Sequence, residues 1–291
     1  MSKKWIIILS AILLVIIILT VFYLNEPKEI DNEALFESIA SGDQEAVSEL
    51  IEEGQALNIK GENGMTAFQT AISYQQPDIA KMLLSEGAEP VEGDAWLSAQ
   101  SMIDPAIDED NLNEKLLEII KEIHSQKSEL ISDVNAQDET LLFEAIRLRH
   151  EELFNWLHNQ GLNTDVINAS GETIFHSAAR FPYSSLSFIT DEADYSGGKT
   201  NIDGDTPLLI AVKSNHTEWI KEFLKTDDVN TQNEAGWTPL MFAADYGFTE
   251  SAQVLMELGA DPELQNDSGE SALDIALKYD NKALIALLNA N

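Results

Sequence analysis

The chain has 291 residues, 44% of them apolar, with 51 acidic against 17 basic residues, a net charge of −34 and no cysteine. That apolar share supplies a sizeable core, and wholesale disorder is excluded despite the charge. Nucleic acid and anionic lipid headgroups are excluded as partners of the folded body, because both demand clustered Lys and Arg. Without Cys there are no disulfides, thiolate nucleophiles, Cys-ligated zinc sites or iron–sulfur clusters.

Residues 5–24 form an uncharged run broken only by Ser10 and Thr20. At ~1.5 Å rise per residue, a helix of that length matches the ~30 Å hydrocarbon core of a bilayer. Cleaved signal peptides have shorter apolar regions that end in small residues, whereas this run ends Phe22-Tyr23-Leu24-Asn25-Glu26-Pro27. The expectation is an uncleaved signal anchor crossing the inner (plasma) membrane once. The alternative, a signal peptide cut near Asn25, frees the same domain into the same compartment. Lys3 and Lys4 precede the run and only Lys28 follows closely, which keeps the N-terminus cytoplasmic. Residues 1–4 are then a cytoplasmic tail and 25–29 a linker, with 30–291 in the periplasm or its equivalent.

Beyond the anchor one pattern recurs. Gly64-Met65-Thr66-Ala67-Phe68 is followed by Gly171-Glu172-Thr173-Ile174-Phe175-His176, Gly204-Asp205-Thr206-Pro207-Leu208, Gly236-Trp237-Thr238-Pro239-Leu240 and Gly269-Glu270-Ser271-Ala272-Leu273, with a weaker copy at Asp138-Glu139-Thr140-Leu141-Leu142. The hydroxyl residues fall at 66, 140, 173, 206, 238 and 271, and an Ala follows each by five residues: Ala71, Ala145, Ala178, Ala211, Ala243 and Ala276. A period of 33 residues is the signature of a solenoid. Thr or Ser caps a helix, Pro207 and Pro239 sit at its first position, and the small Ala admits a close neighbour. A second apolar-periodic helix follows in each copy, and Gly54, Gly87, Gly161 and Gly259 are placed to end it.

These motifs resemble the ankyrin-repeat family, most closely through Gly236-Trp237-Thr238-Pro239-Leu240-Met241-Phe242-Ala243-Ala244-Asp245-Tyr246-Gly247 and on to Gly259-Ala260-Asp261-Pro262. The resemblance covers essentially everything after the anchor and implies an all-α solenoid of helix-turn-helix pairs. Eight repeats are expected, at 30–60, 61–91, 92–134, 135–167, 168–200, 201–232, 233–265 and 266–291. The third is degenerate, with Trp96 and Leu97 on its first helix, Leu116 to Ile123 on its second and a surplus acidic loop over 104–113. The fifth is irregular, because Pro182 replaces the inter-helix Gly and its second helix, around Leu186 to Ile189, is short.

Motifs that carry chemistry are weak. Ala193 to Thr200 satisfies a loose phosphate-loop pattern, but no helix follows directly. The resemblance accounts for His176 as the histidine of the Thr-Pro-Leu-His motif, and for His150 and His216 at the family's Gly-His position. His124 and His158 have no ligand partner at helical spacing. Asp108-Glu109-Asp110-Asn111 lacks the Gly and the final Glu of a calcium loop. No enzyme activity, metal, cofactor or small-molecule substrate is expected.

The resemblance implies a partner-binding surface along the concave face and the turn tips. Two places after the Ala lie Ser73, Arg147, Arg180, Lys213, Asp245 and Lys278, and one place further Tyr74, Leu148, Phe181, Ser214, Tyr246 and Tyr279. Four of the 17 cations share one position. The candidate strip is Tyr74, Arg147, Leu148, Arg180, Phe181, Lys213, Tyr246, Lys278 and Tyr279, with Trp237 at a turn tip. Either these residues bind a partner, or the cations neutralise nearby carboxylates and the rings pack between helices. Acidity elsewhere points to a basic protein partner, although it also serves solubility. Some bacterial ankyrin proteins of this layout are immunity proteins that sequester a secreted toxin such as a lipase effector, and the resemblance extends to that role. A scaffold that stabilises an envelope enzyme is the alternative.

Overall fold

The computed structural model describes residues 32–101, 109–189 and 198–290. The expected signal anchor, the start of the acidic stretch at 104–108 and most of the phosphate-loop-like run lie outside these residues. Among the described residues no helix is long and apolar enough to cross a membrane.

Helices come in pairs. The first of each pair forms an inner row: α1 (Asn32–Ser41), α3 (Ala67–Ser73), α5 (Asp94–Ser101), α7 (Leu141–Arg147), α9 (Ile174–Ala178), α10 (Pro207–Lys213), α12 (Pro239–Tyr246) and α14 (Ala272–Lys278). Each packs on the next, from α1 to α14. The second helices form an outer row: α2 (Gln44–Glu52), α4 (Pro77–Ser85), α6 (Glu109–Gln126), α8 (Glu151–Asn159), α11 (Thr217–Phe223), α13 (Thr249–Glu257) and α15 (Lys282–Leu288). This is the all-α solenoid expected, and its only β-type contacts among the described residues are two isolated bridges, Lys60 with Thr66 and Gln265 with Ser271.

The inner row is close because its frame alanines are small. Ala71, Ala145, Ala178, Ala211, Ala243 and Ala276 are all fully buried. Six of the eight inner helices follow a hydroxyl residue, and there the cap forms as where Thr206 accepts from Leu209 N at 3.3 Å and Thr238 from Met241 N at 3.2 Å. Thr140 departs from that expectation: its buried hydroxyl makes no hydrogen bond. The four glycines placed to end the outer helices do so in the left-handed region, with φ between 88° and 100°. The turn between paired helices demands the same conformation, and there Gln75, Arg149, Asn215 and Asp280 adopt it without being glycine.

Two irregular repeats differ in kind. In the third, α6 is 18 residues long and begins at Glu109, so Glu109, Asp110 and Asn111 are helical rather than part of a solvated loop. Trp96 Nε1 donates to Asp133 O at 3.0 Å and closes the repeat. In the fifth, α9 is five residues long, a 3-10 turn at Tyr183–Ser185 follows, and Phe188 and Ile189, the last residues described before 198, are helical. Leu186, Phe188 and Ile189 are nevertheless buried, and Phe188 meets Phe154 of α8 with ring centroids 5.3 Å apart.

Candidate protein-interaction surface

The cations of the predicted strip are not free. Each faces a carboxylate eight residues earlier, at the turn tip of its own repeat. Arg147 Nη1 donates to Glu139 at 3.0 Å, Arg180 pairs with Glu172, Lys213 pairs with Asp205, and Lys278 lies 3.8 Å from Glu270. Arg147 also donates from Nε to the buried Glu144 at 2.9 Å. Burial alone would lower the pKa of this guanidinium, but Glu144 and Glu139 together hold it above its usual range. The neutralising role set out for these residues is therefore what their geometry displays.

A second row supports the first. Asn135, Asn168, Asn201, Asn233 and Asn266 recur at the frame position five before the capping hydroxyl. Each side-chain oxygen accepts two backbone N–H groups of its own tip, as Asn201 does from Asp203 and Asp205 at 3.0 Å each. Some of the amide groups then reach the preceding repeat: Asn168 donates to Glu139 at 3.3 Å, and Asn233 donates to Asp205 at 3.0 Å. The tip carboxylates thus bind a cation on one side and the next repeat on the other. Sequence reading named neither the asparagines nor the individual carboxylates, although Glu139, Glu172, Asp205 and Glu270 stand eight residues before each cation.

In the seventh repeat the pair is replaced. Trp237 stands where the carboxylate would be and Asp245 where the cation would be. Trp237 is 4.9 Å from the Phe242 ring, Phe242 stacks toward Tyr246 at 6.4 Å, and Tyr246 toward Phe248 at 5.5 Å. Lys213 Nζ lies 4.2 Å over Phe242. Asp245 accepts a hydrogen bond from the Tyr279 phenol and pushes that phenol above its ordinary pKa, through the bond and through its charge. Tyr74, Tyr246 and Tyr279 each expose about half of their surface (53, 51 and 55%), whereas Leu148 and Phe181 pack against the core. The strip therefore divides into exposed rings toward its two ends and paired charges in its middle.

The histidines are held by the scaffold. His176 is fully buried, its Nδ1 accepting from Thr173 N at 3.0 Å while Nε2 donates to Asp205 O at 3.0 Å. Burial pushes its pKa down. His150 caps α8, the His216 ring bonds Arg180 O through Nε2 at 3.2 Å, His124 meets Trp156 edge-on at 5.3 Å, and His158 stacks on Phe154 at 6.4 Å. Among the described residues no three His, Asp or Glu side chains converge as metal ligands. Lys199 of the phosphate-loop-like run pairs with Asp165 at 2.5 Å.

The family model described as ankyrin repeats matches residues 15–94, 186–266 and 208–291. Protein phosphatase 1 regulatory subunit 27 of Homo sapiens is 38% identical over 85 residues, which cover 29% of this chain and 54% of that protein. An ankyrin repeat protein of Rickettsia bellii is 33% identical over 88 residues, covering 28% and 52%. The chain thus spans about half the length of these curated relatives. Among solved structures, the ankyrin repeat protein EF0377 matches with a TM-score of 0.58 at 21% identity, over 69% of this chain and 98% of that one, a likeness of fold. Matched by the family model over more than half its length and built as a stack of helix pairs, the chain belongs to the ankyrin-repeat family.

Proposed function

We propose that this ankyrin domain binds a basic protein outside the cytoplasm, tethered to the membrane through residues 5–24. The observation that carries the reading is the pairing of the strip cations. Arg147, Arg180 and Lys213 are already paired with carboxylates of their own repeats, in a chain whose net charge is −34. A basic surface approaching it gains attraction without displacing a cation. The exposed rings of Tyr246 and Tyr279, beside Trp237, supply the apolar area that fixes a partner once it has arrived. A dedicated immunity role, in which the domain holds a secreted toxin harmless at the membrane, is the specific form of this reading.

Affinity capture from envelope extract with the full-length chain tests it, at low and moderate salt. A single stoichiometric basic protein, lost from a Tyr246→Ala/Tyr279→Ala variant, is the expected result. Many prey that vanish together with salt would instead make the protein a scaffold whose acidity serves solubility. The tether has its own test: alkaline phosphatase fused after Asn291 is expected to be active, and an inactive fusion rejects the orientation.

A further inference from the structure

The two rows that close the surface of the middle repeats fail together at the N-terminal end. Gly61 occupies the position of the tip asparagine, Met65 that of the tip carboxylate and Ser73 that of the cation, while Ala40 holds the cation position one repeat earlier. Short or uncharged side chains thus replace the asparagine, carboxylate and cation that interlock in the middle repeats, and Ser73 Oγ contacts Met65 Sδ instead, at 3.5 Å. Phe36 moves into the space over Gly61, so close that a Cβ at residue 61 would lie 3.2 Å from its ring.

What remains is a cavity of about 440 Å³ between α1, the tip at 60–63 and α3. Phe36, Ala40, Thr70 and Tyr74 line it, together with the acidic Glu33, Glu37 and Glu62 and the basic Lys60. Its size falls in the range of pockets that take small organic groups. Its lining combines aromatic rings with carboxylates, the pairing that suits a flat or rounded cation.

We propose that this cavity receives an Arg or Lys side chain of a protein partner. The incoming cation would take the place that Arg147, Arg180, Lys213 and Lys278 fill in their own repeats, so the partner would continue the cation row across the first two repeats. This rests on the reading above that the partner is basic, and it names the seat.

The test is calorimetric titration of the full-length protein with the peptide acetyl-Gly-Arg-Arg-Gly-amide, at low salt, with the Glu-Glu peptide as control. Three variants are compared with the parent, and thermal unfolding verifies that each is folded. Glu37→Gln/Glu62→Gln is expected to weaken the arginine peptide about tenfold, as loss of two charge-assisted contacts at a partly exposed site would do. Ala40→Arg supplies the missing cation from within and is expected to weaken it as much. Glu250→Gln/Glu257→Gln removes the same charge from the outer helix α13 and is expected to leave binding unchanged. Should Ala40→Arg fail to fold, the two neutral pairs still decide the matter. Equal binding by the parent and by Glu37→Gln/Glu62→Gln would overturn the seat while leaving the basic partner standing. An equal loss from the Glu250→Gln/Glu257→Gln pair would overturn the seat as well, because attraction would then be diffuse. Failure of the arginine peptide to bind at all would overturn both readings.

Discussion

Arg147 and Arg180 share one frame position but not one environment. Arg147 is two-thirds buried against Glu144, which is itself 3% exposed, whereas Arg180 is 42% exposed on a carboxylate that still meets water. Removing one partner of a buried pair leaves a charge without compensation, and removing one partner of an exposed pair leaves little. Arg147→Met is therefore expected to cost about 2–3 kcal/mol, after allowance for the solvent that reaches Arg147, and Arg180→Met about 1 kcal/mol or less. Urea unfolding of the two variants measures the difference, and equal losses would contradict the assignment of Glu144 as the deciding neighbour. His176 gives a pH dependence with a definite sign. Burial lowers its folded pKa, so above its ordinary value of about 6.5 neither state carries the proton and its hydrogen bonds count in full. As pH falls below that value the unfolded chain takes up a proton that the folded chain refuses, and stability is lost. The gap in melting temperature between the parent and His176→Gln should narrow from pH 7.5 to pH 5.5, and a constant gap would show that His176 does not titrate on unfolding.

At the scale of the element, close packing sets the rules. The turn tip needs a left-handed residue at Gly204, whose φ is 72°, and a Cβ there would stand 2.6 Å from the backbone nitrogen of Glu234 in the next tip. A side chain must therefore both adopt a disfavoured backbone and push the neighbouring repeat aside. Gly204→Ala is expected to cost about 2 kcal/mol or more, since the backbone alone accounts for roughly 1–2. A melting temperature within a degree of the parent would refute the close approach. The helices and their caps were legible in sequence because they depend on residues within one repeat: the hydroxyl, the Pro, the Ala five places on. The paired rows on the surface were legible only in part: neutralisation of the cations was one of two readings, but which carboxylate each meets depends on a turn that brings residues eight apart together. That Glu109, Asp110 and Asn111 are helical escaped as well, since an acidic run in sequence reads as solvated loop. The cavity escaped too, as it lies where Gly61 and Ala40 carry no polar side chain.

Across the whole molecule, stability is a sum of repeats and of the contacts between neighbours, so the thinnest interface decides how the stack comes apart. Among the described residues the shortest inner helix is that of the fifth repeat, where α9 has five residues and a 3-10 turn follows. Trp219 of α11 compensates. It is fully buried, donates from Nε1 to Phe181 O at 2.9 Å, and meets Tyr183 edge-on at 4.8 Å. One aromatic side chain thus joins the irregular repeat to the regular ones that follow it. Trp219→Phe keeps a ring but removes the hydrogen bond and part of the buried volume, a loss of about 1–3 kcal/mol at that junction. Native-state hydrogen exchange is expected to show two blocks of protection, one from α1 to α8 and one from α10 to α15, with the variant lowering the second block and the amides of α9 while leaving the first unchanged. A uniform loss along the chain would mean that the stack unfolds as one unit. In that case the contact of Phe188 with Phe154, on the other side of the same repeat, would carry as much coupling as Trp219 does.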